Sequence, residues 1–332
     1  MDVVVIVAAR NVEATIAHAL SSALSQRQTA ELIVVDDAST DRTSEVARGA
    51  EDGTGRLKVL TLDKQVGPSR ARNIAIDASR ANLIAVLDGD DVFLPGRFDW
   101  LLQDDGWDLV ADNIVMYRSM ETPLDTAVKA SRGGASSSRP VLTLKRFVEG
   151  NISGFLPRRE LGFLKPVMRR DFLDRAGLRY NEAIRFAEDY DLYCRALVAG
   201  ARFTFDPRAG YGALVHSSSL SSTHSSSDLG GVIGIDERLL ASESLDPGSR
   251  DVLYRHLRQV TFKYHYRMLL DRRQKYGLAS AVREILATPT LIPATLMQFA
   301  TDKLRPLSPG LFLNSGDTPN LLVSPDFPII SR

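Results

Sequence analysis

The sequence predicts an α/β protein with a mostly parallel central sheet and flanking helices, followed by a helical C-terminal extension. Three observations lead to this prediction. Apolar runs alternate with helical segments from Val3 to Leu87, acidic residues directly follow two of these runs, and helical periodicity extends from Asp236 to about Tyr276. Such alternation is typical of a parallel sheet covered on both faces, which binds ligands at the carboxyl ends of its strands.

The four predicted strands are continuous apolar runs, as expected for strands buried on both faces. They cover residues 3–9, 31–35, 57–62 and 82–87. Helices are expected over 12–25, capped by Asn11, over 39–50, and within 67–79. Further along, 131–140 is rich in glycine and serine, 216–228 holds eight serines and predicts a mobile loop, and the five prolines after residue 304 predict an extended tail.

Composition excludes several classes of protein. Lys plus Arg equal Asp plus Glu at 41 each, so there is no global electrostatic argument for nucleic-acid binding. The single cysteine, Cys194, excludes an internal disulfide and a cysteine-rich zinc site, and fits a cytoplasmic setting. No signal peptide is expected at the N-terminus, and no apolar stretch reaches the roughly 18–20 residues that span a bilayer.

The turn Asp88-Gly89-Asp90-Asp91 indicates a metal site. Carboxylates two residues apart, just after a strand, can reach one hard cation, and Mg²⁺ or Mn²⁺ prefers such ligands while keeping positions open for phosphate oxygens. The alternative is a solvated turn in which Asp91 caps the next helix. His216, in the serine-rich loop, is a further candidate ligand or phosphate contact, against the alternative of a loop histidine without a role.

Two other motifs indicate a nucleotide. Asp36 and Asp37 end the second strand, where a carboxylate can accept from a uracil ring N–H or a ribose hydroxyl, or can cap a helix. The segment 67–73 places Arg70 and Arg72 at a helix start, suited to phosphate or base oxygens, with exposed surface arginines as the alternative.

Carboxylates also open a later helix, at Glu188-Asp189-Tyr190-Asp191. They fit either a general base that takes a proton from an attacking hydroxyl or a plain helix cap stabilised by the helix dipole. A basic stretch precedes them and fits either an anionic acceptor such as a pyrophosphate or a solvated face. It consists of Arg158, Arg159, Lys165, Arg169 and Arg170.

In this order the motifs resemble the family-two nucleotide-sugar glycosyltransferases, which have the GT-A fold. The segments that carry the resemblance are VIVAARN (5–11), VVDDAST (34–40), GPSRARN (67–73), VLDGDD (86–91) and AEDYDLYCR (187–195). The family commonly has tyrosine at the position of Arg10. Residues 162–170, GFLKPVMRR, further resemble bacterial succinoglycan-type exopolysaccharide glucosyltransferases.

The resemblance implies inverting transfer from a UDP-sugar, with glucose as the expected sugar. Asp189 would be the base and Glu188 would orient it, while Asp37 and Arg72 would contact uridine. Asp90, with Asp88, Asp91 and His216, would hold Mn²⁺ or Mg²⁺ on the diphosphate. The full substrate-binding set is Ala8, Arg10, Asn11, Asp36, Asp37, Gly67, Arg70, Arg72, Asn73, Asp88, Gly89, Lys165 and Arg169.

On this basis residues 1–229 form the catalytic domain, with a nucleotide-sugar half over about 1–115 and an acceptor half over about 140–229. A helical extension covers 230–303 and the proline-rich tail covers 304–332. Residues 251–306 hold ten Lys or Arg and four acids, and 286–299 is mainly apolar. We therefore expect peripheral docking on the inner membrane leaflet, near a polyprenyl-pyrophosphate-linked glycan acceptor, against the alternative of helices packed on the catalytic domain. A homodimer is a further expectation.

Two alternatives lie outside this family. A sugar-phosphate nucleotidyltransferase shares the α/β architecture and a carboxylate-held metal, but it usually has a glycine-rich N-terminal loop, and residues 8–11 contain no glycine. A non-catalytic protein that binds nucleotide or glycan through a relic site would keep the motifs without activity.

Overall fold

The structure is a computed structural model that describes residues 2–132, 139–152, 161–215, 225–277, 280, 283 and 319–323. The chain forms two compact units. The first comprises Met1–Arg146, Leu161–Val215 and Asp317–Arg332, and the second comprises Phe147–Glu160 and His216–Gly316. The predicted domain limits at 229 and 303 stay a prediction.

The described residues contain ten strands, ten α-helices and a short 3₁₀ turn at Leu161–Phe163. The strands are β1 Val3–Ala9, β2 Thr29–Asp36, β3 Leu57–Thr61, β4 Leu83–Val86, β5 Val92–Phe93, β6 Leu109–Tyr117, β7 Val141–Leu142, β8 Val167–Arg169, β9 Phe203–Leu214 and β10 Asn320–Leu321. The helices are α1 Ile16–Leu24, α2 Thr43–Gly49, α3 Pro68–Asp77, α4 Arg97–Leu101, α5 Asp125–Arg132, α6 Leu144–Asn151, α7 Arg170–Arg175, α8 Glu188–Val198, α9 Ser226–Leu240 and α10 Pro247–Tyr276.

All the strands belong to one sheet in the first unit. The main order is β3-β2-β1-β4-β8-β6-β9-β5, and β10 and β7 pair with β6 and β9. The four strands predicted from apolar runs are confirmed and pair in parallel, so their carboxyl ends meet at one edge. Beyond them β8 runs antiparallel to both β4 and β6, while β6 and β9 pair in parallel again, so the sheet is mixed and its long strand pairs are parallel.

The core of this unit lies on β1, β2 and β4, whose apolar side chains are almost wholly buried. Each such Val, Leu or Ile side chain stabilises the fold by roughly 1.5–3 kcal/mol through burial. Ile16 and Leu20 of α1 cover the sheet, and Ala71 and Ala75 of α3 are buried as well. The polar residues that follow β1, β2 and β4 are therefore held at the end of a rigid layer.

Several predicted boundaries differ from the structure, two of them for a clear physical reason. Helix α1 begins at Ile16 rather than at residue 12, because Asn11 has a positive φ of 51° and its Oδ1 accepts from the Thr40 amide instead of capping a helix. The end of the serine-rich run is helical, because Ser225 and Asp228 form a reciprocal capping box that starts α9. Residues 216–224, with His216, lie outside the described residues.

Part of the proline-rich tail joins the sheet of the first unit. Asn320 and Leu321 form β10, which pairs antiparallel with Met116 and Val115 of β6. The buried Asn113 side chain fixes Val323, two residues after β10, since its Nδ2 donates to the Val323 carbonyl at 2.8 Å and its Oδ1 accepts from the Val323 amide at 3.0 Å. This long-range pairing has no local sequence signal.

The second unit is built on α9 and α10, which pack against each other. The helical periodicity predicted over 236–276 is interrupted at Asp246-Pro247, where the Asp246 side chain accepts from the Ser249 amide and Pro247 occupies the first turn of α10. Within the described residues, no helix combines the length and the apolar character required to span a bilayer.

Candidate active site

The carboxyl edge of β1 and β2 holds the first group of predicted residues. Arg10 follows β1 and donates from Nη1 to the Asp37 carbonyl at 2.7 Å and the Ala38 carbonyl at 3.0 Å. The Asp37 carboxylate accepts from the amides of Val66 at 2.6 Å and Gly67 at 2.9 Å. Asp37 therefore anchors the loop that leads into α3, and its remaining lone pairs face the same edge.

Neighbouring residues stiffen this edge. Asp36 is buried and accepts from the Ser39 amide at 3.1 Å, while the Asn11 amide donates to Ser39 Oγ at 3.0 Å. Gly67 has a φ of 88°, which glycine adopts without steric cost. Ala8 lies half-buried near the end of β1. Together these contacts pre-form a loop pair at the ends of β1 and β2.

Residues 88–91, which we name the acidic turn, follow β4. Asp91 is buried, and its carboxylate accepts from the Tyr211 hydroxyl at 2.8 Å and the Leu214 amide at 2.9 Å. A Cβ at Gly89 would lie 3.0 Å from Cγ2 of Val12, so the turn packs tightly on the segment before α1. Burial, with Asp88 and Asp90 close by, raises the pKa of the Asp91 carboxyl well above its usual range.

The acidic turn fits a divalent ion that takes most of its ligands from a substrate. Among the described residues, no three acidic, histidine or cysteine side chains form a complete metal site. The carboxylates of Asp88, Asp90 and Asp91 supply the oxygen atoms that such an ion prefers. Three carboxylates crowded in one turn repel each other, as the raised pKa of Asp91 reflects, and a bound cation would relieve this repulsion.

The centre of the site is a carboxylate–cation cluster of five side chains, Arg72, Asp88, Lys165, Glu188 and Asp189. Lys165 bridges two of the carboxylates, with Nζ 2.6 Å from Asp189 Oδ2 and 2.9 Å from Asp88 Oδ2. Arg72 bridges Glu188 and the same Asp88, with Nη1 2.6 Å from Glu188 Oε1 and Nη2 2.8 Å from Asp88 Oδ1. The cluster thus joins the end of β4 to the start of α8.

Burial makes these charges depend on each other. Burial opposes the ionisation of Asp88, but Lys165 and Arg72 outweigh it and hold the pKa of this carboxyl below its usual range. Burial likewise opposes the charge on Lys165, but Asp189 and Asp88 outweigh it and raise the pKa of its ammonium group. Asp88 and Lys165 therefore stay charged at neutral pH, and losing one partner would leave a buried charge uncompensated.

Helix α8 presents Asp189 at its first turn. The residue before the helix, Ala187, has a left-handed conformation with a φ of 63°, which is costly for a residue with a Cβ and is typical of functional sites. The Tyr180 hydroxyl donates to Asp189 Oδ1 at 3.1 Å. Burial, then Asp189, raises the pKa of this phenol well above its usual value, so Tyr180 remains a donor.

Three predicted substrate contacts have other partners in the structure. Asn73 donates to the Tyr180 carbonyl at 2.9 Å, so it supports the segment before α8. Arg70 is exposed and lies 3.8 Å from Glu182. Arg169 donates to the carbonyls of Trp107 and Asp105 and stacks on the Trp107 ring, so its predicted contact to the substrate stays a prediction.

The rest of the basic stretch also separates. Arg170 donates to the carbonyls of Ala81 and Ile76, so it is a structural residue. Arg158 and Arg159 lie outside the described residues, as does the metal candidate His216. Of this stretch, Lys165 joins the cluster because it precedes β8, which lies beside β4 in the sheet.

Two tyrosines of the site were missed by sequence reasoning. Tyr180 has no sequence signal. Tyr211 has one, because glycines flank it on β9, and glycine inside a strand marks a close approach of backbone. A Cβ at Gly210 would clash with Asp112 Oδ2 and Arg97 Cγ, and one at Gly212 would lie 3.0 Å from Val92 Cγ2.

Several known proteins resemble this chain in sequence. The family model described as glycosyl transferase family 2 matches residues 4–160. The chain is 43% identical over 314 residues to the succinoglycan biosynthesis protein ExoU of Rhizobium meliloti, covering 93% of this chain and 90% of that protein. It is 35% identical over 96 residues to the Escherichia coli UDP-Glc:alpha-D-GlcNAc-diphosphoundecaprenol beta-1,3-glucosyltransferase WfgD, covering 29% of this chain and 37% of that protein.

Among solved structures, S. aureus TarS 1–349 in complex with UDP-GlcNAc superposes with a TM-score of 0.57 at 21% identity, over 94% of this chain and 87% of that one. This likeness confirms the GT-A fold. The 43% identity to ExoU over 93% of this chain, together with the family model, excludes the alternative of a sugar-phosphate nucleotidyltransferase. The chain belongs to glycosyl transferase family 2, and it is a glycosyltransferase.

Proposed function

We propose that the protein transfers glucose from UDP-glucose to a glycan acceptor carried on a polyprenyl diphosphate, in the assembly of an exopolysaccharide. The name of ExoU supports the exopolysaccharide, at 43% identity over nearly the whole chain. The name of WfgD supports a UDP-glucose donor and a diphosphate-linked lipid acceptor, through a shorter match. The acceptor would place the enzyme at the cytoplasmic face of a membrane.

The observation that carries the proposal is the position of the Asp189 carboxylate. Lys165 and Tyr180 both donate to it, and Lys165 also lies within hydrogen-bond distance of Asp88 in the acidic turn. Asp189 accepts the proton of the acceptor hydroxyl as its oxygen attacks the anomeric carbon. The new C–O bond forms while the bond from that carbon to the diphosphate oxygen breaks. The electron pair leaves with UDP, and the configuration at the anomeric carbon inverts.

The other residues position the reactants. Lys165 and Tyr180 donate to Asp189 and fix its orientation. Asp36, Asp37 and the loop at Gly67 form the edge that receives the uridine, with Arg10 holding the backbone of that edge. Asp90 would hold Mn²⁺ or Mg²⁺, which supplies Lewis-acid stabilisation of the charge developing on the diphosphate.

The first test of the proposal is a panel of UDP-, GDP- and dTDP-sugars, with Mn²⁺, Mg²⁺ or EDTA, in which the released nucleoside diphosphate is measured. We expect UDP release from UDP-glucose that needs a divalent cation and rises when a polyprenyl-diphosphate-linked glycan is added. Release of the nucleoside diphosphate from a different sugar nucleotide would overturn the assignment of UDP-glucose as the donor. No release from any donor, together with no UDP binding by calorimetry, would favour a relic site.

The metal role of Asp90 has its own test. Because we assign one protein carboxylate to the cation, Asp90→Asn should raise the Mn²⁺ concentration at half-maximal activity by at least about tenfold, the effect of some 1.4 kcal/mol. Calorimetric titration of Mn²⁺ in the presence of UDP measures the same loss without turnover. Asp63→Asn, at an exposed carboxylate after β3, is the matched control. An unchanged Mn²⁺ requirement in Asp90→Asn would remove Asp90 as a ligand.

A further inference from the structure

Helix α10 concentrates positive charge in a protein that is neutral as a whole. The chain has 41 basic and 41 acidic residues. Within Pro247–Tyr276 there are eight Lys or Arg and two Asp, so this one helix carries a formal charge of 8 − 2 = +6. Such a local excess attracts an anionic surface over about a Debye length.

The same helix exposes large apolar side chains. Of the seven large hydrophobic residues exposed in the described part of the chain, five lie on α10. Their exposed fractions are 55% for Tyr254, 37% for Phe262, 38% for Met268, 36% for Leu270 and 62% for Tyr276. Exposed aromatic and apolar groups grouped on one element indicate an interaction surface rather than chance.

Charge and apolar groups share one side of the helix. At 3.6 residues per turn, Tyr254, Arg258, Phe262 and Tyr276 fall within about a quarter of the helix circumference and span about 33 Å, and the buried Leu269 lies on the same side between Phe262 and Tyr276. Arg258 and Arg273 are exposed, and no acidic side chain among the described residues pairs with either. Arg255, in contrast, lies 3.2 Å from Asp251 and 3.3 Å from Glu149. We name the stripe Tyr254, Arg258, Phe262, Arg273 and Tyr276 the α10 face.

We propose that the α10 face docks on the surface of an anionic lipid bilayer. This inference rests on the proposed function, which supplies the reason for a membrane, and it names a helix different from the apolar segment 286–299 expected from the sequence. Tyrosine and phenylalanine insert at the level of the headgroups while arginine pairs with lipid phosphates. A second copy of the chain would bring like charges together, and nucleic acid offers no apolar layer for Phe262.

Vesicle co-sedimentation of the full chain tests the proposal. We expect binding to phosphatidylglycerol–phosphatidylcholine vesicles that weakens with salt, and little binding to phosphatidylcholine alone. Since each basic residue near such a surface contributes about fivefold in partitioning (about 1 kcal/mol), Arg258→Gln with Arg273→Gln should weaken binding about 25-fold. Phe262→Ser with Tyr276→Ser should weaken it at low and high salt alike. The control pair Arg27→Gln and Arg80→Gln removes two exposed arginines of the first unit and should leave binding unchanged.

The outcomes separate docking from catalysis. Donor turnover with a water-soluble acceptor should be equal in the α10 variants and the wild type, and circular dichroism should show the same helix content. Absence of binding to anionic vesicles, or equal loss in the control pair, would overturn the docking. A wild-type dimer that the α10 variants dissociate, without vesicle binding, would assign the face to a second copy and also overturn it. Vesicle binding by a wild type that transfers no sugar would keep the docking and overturn the proposed function.

Discussion

Replacing Asp189 with asparagine is expected to lower kcat by about 10²–10⁴-fold, the usual contribution of a general base. The amide keeps the size of the carboxylate but cannot take the proton of the acceptor hydroxyl. Nucleotide binding should change little, because Asp36, Asp37 and the loop at Gly67 are untouched. Single-turnover transfer from the donor identified by the panel measures the loss, and calorimetry with UDP measures the binding.

Glu188→Gln is the matched control for this experiment. Glu188 adjoins Asp189 and bonds to Arg72 at 2.6 Å, and a glutamine can retain a hydrogen bond there through its amide oxygen. We expect it to lose charge compensation in the cluster but no proton acceptor, and so to reduce kcat less than about tenfold. An Asp189→Asn enzyme with kcat similar to that of Glu188→Gln would contradict the assignment of the base.

Replacing Arg97 with methionine is expected to have the largest effect on stability, a loss of about 3–5 kcal/mol in the free energy of unfolding. Arg97 and Asp112 are both fully buried, and Arg97 Nε and Nη2 donate to the Asp112 carboxylate at 2.9 and 2.6 Å. Methionine would leave Asp112 as an uncompensated buried charge. Chemical denaturation of the wild type and the variant measures the difference.

The pH dependence of this variant gives a second readout. Burial raises the pKa of the Asp112 carboxyl above its ordinary value, and Arg97 opposes this rise. A carboxyl whose pKa is higher in the folded state than in the unfolded state stabilises the fold most below its unfolded pKa, and this contribution falls as pH rises through the folded pKa. Because Arg97→Met removes the opposing charge, its loss of stability should be smaller at acidic than at neutral pH.

Two controls separate the buried pair from the loss of an arginine. Arg175→Met breaks an exposed ion pair with Asp171 and should cost about 0–1 kcal/mol. Adding Asp112→Leu to Arg97→Met removes the orphaned carboxylate and should restore part of the stability. An Arg97→Met protein as stable as Arg175→Met would contradict this account.

Arg97 also links the fold to the active site. Its Nη2 donates to the Lys165 carbonyl at 2.6 Å, and its guanidinium lies 5.4 Å from the ring centroid of Tyr211. Lys165, whose ammonium group holds Asp189, and Tyr211, whose hydroxyl holds Asp91, are therefore both positioned by the buried Arg97 guanidinium. Gly210 permits this arrangement, because a side chain there would occupy the space of the pair.

The sequence predicted that Asp36, Asp37 and Asp88 meet at one edge of the sheet, because the signals for this are local; their contacts to a nucleotide stay a prediction. Apolar runs that end in Asp36-Asp37 and Asp88 place charges at the end of buried strands, and parallel pairing then brings those ends together. The pairing of Lys165 with Asp88 and Asp189 could not be predicted, since it depends on β8 lying beside β4 in reversed direction. The contacts of Arg169 could not be predicted for the same reason, because Arg169 belongs to β8 and stacks on Trp107.

The pairing of β10 with β6 means that residues which follow the helical unit in the sequence complete the sheet that begins at β1. A ribosome that has made β1 to β9 has not yet supplied Val323, so two hydrogen bonds of the buried Asn113 amide form only after residues 320–323 have emerged. A variant that lacks these residues would keep the contacts of that amide with the Pro207 carbonyl and the Ile114 amide, but it would lose the two hydrogen bonds to Val323, at a cost of about 1–3 kcal/mol. Removal of the helical unit therefore requires an internal deletion that keeps residues 320–323 joined to the sheet.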